Sequence, residues 1–162
     1  LGDIYDSTNY HPRKSIGSLL GRIKVAMMAA LDEELAADRR LAQLELSAAQ
    51  FSVIASLAGE ERKSASDLCR GISYDAGAMT RMIDRLEAKG LIRRNRSPED
   101  RRLVYLELTD EGRAAYPRMR ELALEVANRF LRGFTKAEAR QLETLLNRML
   151  DNAQEGEARA SA

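Results

Sequence analysis

Tryptophan is absent from this sequence, histidine and cysteine occur once each, and aromatic residues make up only 5%. Each scarcity closes off a class of chemistry. A single cysteine, Cys69, cannot form an internal disulfide, which fits a reducing compartment. A single histidine, His11, with no Cys or carboxylate cluster at ligand spacing, leaves no metal site within one chain. With that one histidine and one cysteine in unrelated segments, there is no nucleophile–base pair, and no glycine-rich loop to cradle a phosphate. No catalytic role and no cofactor are therefore expected. Long apolar runs are missing too. The longest, Val25–Leu31, is short and flanked by Lys24 and Asp32, whereas a membrane span needs about 20 apolar residues. The N-terminus carries polar residues and Pro12 where a secretory signal would be apolar. No membrane partner and a cytoplasmic location are the expectation.

What remains is a chain of 162 residues, 44% hydrophobic and 31% charged, which suits one soluble domain of ordinary size. Its net charge of +1 is unevenly distributed. Arg62 to Arg102 holds eleven basic and six acidic residues, and the rest of the chain is net acidic by four. A basic middle in an acidic frame is the electrostatic footprint of nucleic-acid binding. A solvated basic face without a partner gives the same count, so the motifs must decide.

The first fifteen residues are polar and aperiodic and read as an arm. From Ile16, apolar residues recur at spacings of three and four through Leu19, Leu20, Ile23, Met27, Leu31 and Leu35, one face of a helix. Asp38–Leu46 interrupts it. Ser47 caps a second helix with Phe51, Ile54 and Leu57 inward, ended by Gly59. A short helix fits Ser66–Arg70 with Ala65, Leu68, Cys69 and Ile72 on one side, stopped by Gly71 before a tight turn through Ser73. Another runs from about Asp75 to Lys89, with Met79, Met82, Ile83 and Leu86 inward, and stops at Gly90. Two helices joined by so short a turn form a helix-turn-helix.

After Gly90 the period becomes two. Leu91–Asn95 and Leu103–Leu108 read as strands joined by the turn Ser97-Pro98-Glu99-Asp100, a hairpin with a basic tip. Thr109 caps a long helix with Asp110 and Glu111 in its first turn, and Pro117 predicts a kink near its start. Gly133 ends it. Thr135 and Glu138 form a capping box for a last helix bearing Leu142, Leu145, Leu146, Met149 and Leu150, with the tail beyond Asn152 expected to fray. The fold class is mostly α with a small β-hairpin wing: a winged helix-turn-helix at 42–109, flanked by helical segments at 1–41 and 110–162 that are expected to dimerise. Two copies packing those outer helices would hold two reading heads at a fixed separation.

Asp100, Arg102, Leu108, Thr109 and Gly112 stand in the order D-x-R-x5-L-T-x2-G, which resembles the wing signature of the MarR family. Thr80-Arg81-Met82-Ile83-Asp84-Arg85-Leu86-Glu87-Ala88-Lys89-Gly90-Leu91-Ile92 is similar to that family's recognition helix and its exit into the wing. The resemblance covers roughly residues 15–150. It implies a homodimeric regulator of a pseudo-palindromic operator, most often a repressor, released by a small phenolic or lipophilic anionic ligand or by thiol oxidation. The family's urate-responsive members use a tryptophan, so urate is not the expected ligand.

Double-stranded DNA, a second copy and a small-molecule effector are thus the expected partners. Arg81 and Arg85 lie four apart opposite the apolar side, where a guanidinium reaches a guanine edge or a phosphate; Arg81 matches a base-contacting position of the family. The competing use is a weak intrahelical pair with Asp84 or Glu87. Thr80 suits a thymine methyl or a phosphate. Gly77 departs from the polar side chain that relatives more often carry there. Ser73 reads as a cap. Arg96, Arg101 and Arg102 crowd the wing, where an arginine enters a minor groove, and Asp100 would pair with one of them to structure the wing. Cys69 is either a small core residue or a redox sensor. An effector pocket is expected from Ser15–Met28, Phe51 and Tyr116–Met119. The alternative function is a winged helix used for protein–protein contact without DNA readout.

Overall fold

Helix α1 (Ile16–Ala37) begins where the apolar periodicity begins. Ser15 caps it, accepting from the Ser18 N–H, and the Tyr5 hydroxyl accepts the Ile16 N–H at 3.1 Å. The arm is therefore locally built. Asp6 gathers the Thr8 and Asn9 N–H groups, and Tyr5 and Tyr10 meet edge to face at 5.4 Å. The computed structural model describes residues 2–59, 63–72, 75–96 and 103–160. They group into two compact units, Leu1–Val126 and Ala127–Ala162.

In the first unit, a 3-10 turn at Ala42–Leu44 leads from α1 into α2 (Ala48–Ala58). The start of α2 is capped twice. Ser47 and Gln50 exchange a reciprocal capping box, and Asp32 from α1 accepts the Ala48 N–H at 2.6 Å. Strand β1 (Lys63–Ser64) follows, then α3 (Ala65–Ile72) and α4 (Ala76–Ala88). Strands β2 (Ile92–Arg96) and β3 (Val104–Leu108) form the hairpin, and α5 (Asp110–Phe130) leads out of it. The sheet order is β1-β3-β2, antiparallel throughout, with Ile92 opposite Leu108 and Arg96 opposite Val104.

Three details depart from the sequence expectation. The two-residue β1, paired Lys63 to Leu106 and Ser64 to Tyr105, is too short to show a period. Helix α3 starts one residue early and runs through Gly71 to Ile72, because Ser64 and Asp67 cap its start: the Ser64 N–H and hydroxyl both donate to Asp67, which holds that carboxyl below its usual range. Ala65, expected inward, is exposed, while Leu68 is fully buried and Cys69 and Ile72 are half-buried.

One apolar cluster runs through this unit, from Leu31 and Leu35 of α1 through Val53, Ile54, Leu68, Met79, Ile83 and Leu86 to Leu106 and Met119. Each fully buried aliphatic side chain contributes about 1.5–3 kcal/mol of transfer free energy. The end of α1 is joined by charge to the first half of α5. Arg118 donates to Asp38 at 2.7 Å, holding that carboxyl well below its usual range, and also to Glu121. Pro117 sits inside α5 without ending it.

The second unit is mainly α6 (Lys136–Ala160), opened by the Thr135–Glu138 capping box after Gly133 at φ 91°. Here too the expectation is corrected. The helix continues well past Asn152, because Gln154, Glu155, Glu157, Ala158 and Arg159 are all good helix formers and only Gly156 weakens the run. No helix among the described residues is long and apolar enough to cross a membrane.

Candidate nucleic-acid interface

Helix α4 is set rigidly before it presents anything to solvent. Asp75 caps it by accepting the Ala78 N–H at 2.8 Å. At its other end Gly90 takes φ 70°, and the Gly90 and Leu91 N–H groups bond back to Glu87 and Leu86, a Schellman closure. Lys89 adds a clamp, donating to the carbonyls of Leu44 and, at 2.8 Å, Glu45. Met79, Ile83 and Leu86 lie 0–2% exposed on the inner side.

The outer side carries Gly77, Thr80, Arg81 and Arg85, all exposed. Among the described residues, neither Arg81 nor Arg85 has an acid within ion-pair distance, so both guanidinium groups are free to meet an external anion or base. The intrahelical pairing weighed above does not form. Asp84 and Glu87 are both taken by Arg94 from β2, whose Nη2 lies 2.5 Å from Asp84 and whose Nη1 bonds Glu87. That double pairing, Asp84 first, raises the pKa of Arg94. Sequence reasoning missed Arg94. Its signal was the inner-face position two residues after Ile92.

Gly77 acquires a reason. A Cβ there would stand 3.2 Å from the Asp75 carboxylate and 3.6 Å from Nη1 of Arg81. The tight approach is to the carboxylate that caps the helix, whereas the one to Arg81 would be an ordinary contact. Thr80 donates its hydroxyl to the Ala76 carbonyl at 2.8 Å, which leaves its methyl group and oxygen lone pairs outward. Arg81, Arg85 and Lys89 line one wall of a groove of about 520 Å³ whose other wall is Glu45, Ser47 and Gln50.

On the hairpin, Arg96 ends β2 exposed, and Arg93 pairs across the sheet with Glu107 at 3.1 Å. Asp100, Arg101, Arg102 and Ser73 lie outside the described residues. Cys69 sits half-buried against the core. His11 is exposed in the turn before α1, and among the described residues no group of three or more His, Cys, Asp or Glu side chains is placed to hold a metal.

The residues expected to line an effector pocket are brought together only in part. A cavity of about 200 Å³ is lined by Met27, Met28, Leu31, Phe51, Ser52 and Val126, among others. Tyr116 stacks on Phe51 with ring centroids 6.4 Å apart, but neither Tyr116–Met119 nor the residues from Ser15 to Ala26 take part in the lining.

Comparison with known proteins agrees with this geometry. The MarR family model matches residues 46–104, the span from the end of the 3-10 turn to the second wing strand. The multiple antibiotic resistance protein MarR of Escherichia coli K12 is 34% identical over 111 residues, covering 68% of this chain and 77% of that protein. A mutant of E. coli MarR, solved in complex with operator DNA, superposes with a TM-score of 0.72 at 31% identity, covering 83% of this chain and 93% of that one. Bordetella bronchiseptica BpsR, whose DNA binding is regulated by 6-hydroxynicotinic acid, gives a TM-score of 0.75 at 29% identity, covering 88% and 97%. Two exposed arginines on α4 beside an arginine-bearing hairpin, on a fold shared with these proteins, have one consistent identity: the chain belongs to the MarR family of winged-helix, DNA-binding transcription regulators, which are not enzymes.

Proposed function

We propose that the chain acts as a homodimeric repressor of a pseudo-palindromic operator and is released by a small aromatic ligand. The observation that carries the operator reading is the pair Arg81 and Arg85, exposed on α4 and without acid partners among the described residues. On this reading Arg81 and Thr80 contact base edges, Arg85 contacts phosphate, and Arg96, Arg101 and Arg102 engage the backbone and the minor groove, with Asp100 steadying the wing. The dimer is supported by apolar side chains left exposed on the outer helices. On α1, Ile16, Leu19 and Ile23 are 42–48% exposed, and on α6, Leu142, Leu145 and Met149 are 38–43% exposed. Segments 1–41 and 110–162 are assigned to dimerisation on that ground, and 42–109 to DNA binding.

The ligand reading is supported by the apolar cavity at Met27, Met28 and Phe51, which is suited to a single aromatic ring, and by the effector of BpsR. Release from the operator follows if the ligand changes the separation of two heads that must meet half-sites about 34 Å apart.

The test is selection of genomic fragments by purified protein, then titration of the enriched DNA at several salt concentrations. A pseudo-palindrome with a steep salt slope is expected. No enrichment, with reduced or oxidised protein, would mean that the basic surface meets a protein partner instead.

Thiol control is the weaker branch. Cys69 is half-buried against the core and has no second cysteine in the chain to close a disulfide. Peroxide is expected to leave operator affinity within about twofold and to produce no cross-linked dimer on a non-reducing gel. A peroxide-induced loss of binding that is absent in Cys69→Ser would establish the sensor instead.

A further inference from the structure

Strand β2 sends the alternate residues Ile92, Arg94 and Arg96 along one face. Ile92 is 1% exposed, the Arg94 side chain is 33% exposed, and Arg96 is exposed outright. Opposite Arg94 in the register is Leu106, the innermost residue of β3 at 2% exposure. Beyond this rung the hairpin leaves the hydrophobic core. Apolar packing therefore fixes the root of the wing but not the direction in which it leaves.

Arg94 stands at that rung. Its guanidinium reaches Glu87 through Nη1 and Asp84 through Nη2, and its backbone N–H donates to Glu87 Oε1 at 3.3 Å. Asp84 and Glu87 are three apart on α4 and so neighbour each other along the helix. A planar fork bound at two points resists rotation, as a single ammonium cannot. The adjacent Arg93 does nothing of this kind, since its partner Glu107 belongs to the same hairpin.

We propose that Arg94 is a positioning residue for operator binding: it fixes the angle between the wing and the recognition helix α4 without itself touching DNA. This rests on the operator reading above. Two DNA-contacting elements must fit two adjacent grooves at once, so a wing free to swing loses register even when every contact residue is intact.

Salt dependence separates this role from direct contact. Arg94→Met is expected to weaken operator binding about tenfold, with the slope of log affinity against log salt unchanged. An arginine on phosphate, lost from both copies of a dimer, would lower that slope by about two. Arg94→Lys, able to hold one carboxylate, is expected to recover part of the affinity. The triple variant Asp84→Asn, Glu87→Gln, Arg94→Met removes the unpaired acids that the single variant leaves near DNA, and is expected to bind as poorly as Arg94→Met.

Triple-variant binding at the wild-type level would reduce the effect to charge repulsion and overturn the proposal. So would a fallen slope, or an Arg94→Met protein that is folded by circular dichroism and binds normally. Were Arg94→Met unfolded, the neutral but polar Arg94→Gln carries the same slope test. A wild-type protein that selects no operator overturns the functional reading first and this inference with it, and is distinguished by failing before any variant is made.

Discussion

Gly112→Ala is expected to lower stability by about 3 kcal/mol, more than alanine at any other glycine of this chain. A Cβ at position 112 would lie 2.1 Å from the carbonyl oxygen of Leu91, 3.1 Å from its carbonyl carbon and 3.4 Å from Cδ2 of Leu108. None of these has room to retreat. Leu91 is 1% and Leu108 3% exposed, and the Leu91 carbonyl already accepts the Thr109 N–H at 3.1 Å. Thr109 is held in turn, donating its hydroxyl to the Gly90 carbonyl at 2.6 Å and accepting the Gly112 N–H. To admit a methyl group, the first turn of α5 must lift from the exit of α4, which breaks these bonds together. Overpacking in a closed site costs about 1–3 kcal/mol, each hydrogen bond that breaks adds about 1 kcal/mol, and the helix propensity gained from alanine, about 1 kcal/mol, offsets part of the total. A thermal melt at fixed protein concentration should fall by about 10 °C. The matched control is Gly71→Ala, also inside a helix but with nothing within 4 Å of its Cβ, which should raise the midpoint slightly. Equal midpoints for the two variants would mean that α5 does not rest on Leu91.

That contact explains a motif which the sequence displays but does not interpret. In L-T-x2-G the leucine closes the sheet, the threonine caps α5, and the glycine allows two backbones to touch. The spacing was legible because each residue is a strong local signal. The reason for the glycine was not, because Leu91 is twenty-one residues away and the contact is made by backbone. The same division runs through the fold. Capping at Ser47, Asp75, Thr109 and Thr135 is local, so the starts of α2, α4, α5 and α6 were readable within a residue. Asp32 on Ala48 and Lys89 on the 44–45 carbonyls are tertiary bonds with no sequence spacing to announce them. The fate of the 152–160 tail turned on composition: small and polar described it, but helix propensity ruled it.

The site divided along similar lines. Arg81 and Arg85 were readable as outward because Met79, Ile83 and Leu86 fix the inward face of α4 by period alone. Their freedom from Asp84 and Glu87 was not readable. On sequence the nearest bases to those acids are on the same helix, whereas in the fold Arg94 arrives from the next strand and takes both. A helix period ranks neighbours along one element only, and the winning ion pair crosses two. Gly77 is a related case. It looks like a lost contact in the sequence and becomes, in the fold, a position where a side chain would crowd the Asp75 cap.

Arg81→Ala is therefore the substitution expected to damage operator recognition most, lowering affinity about a hundredfold or more with little change in stability. A bidentate arginine–guanine pair discriminates by about 1–3 kcal/mol, and a dimer loses two, where each 1.4 kcal/mol is tenfold. The side chain is exposed, makes no ion pair among the described residues, and leaves the core untouched, so the melt should stay within about 1–2 °C. Arg85→Ala is expected to cost less and to act differently. Recognition helices contact base edges mainly with their N-terminal residues, and Arg85 lies one turn further along α4. Its loss should weaken specific and random DNA alike and reduce the salt slope by about one per subunit. Arg81→Ala should instead cut the ratio of specific to random binding while largely preserving the slope. Binding curves for both variants on the selected operator and on scrambled DNA, at two or more salt concentrations, separate these outcomes. If the two variants prove interchangeable, both arginines serve phosphates and base readout passes to Thr80 and the wing. If neither matters, α4 is not the reading helix, and the uncovered basic face has a protein partner.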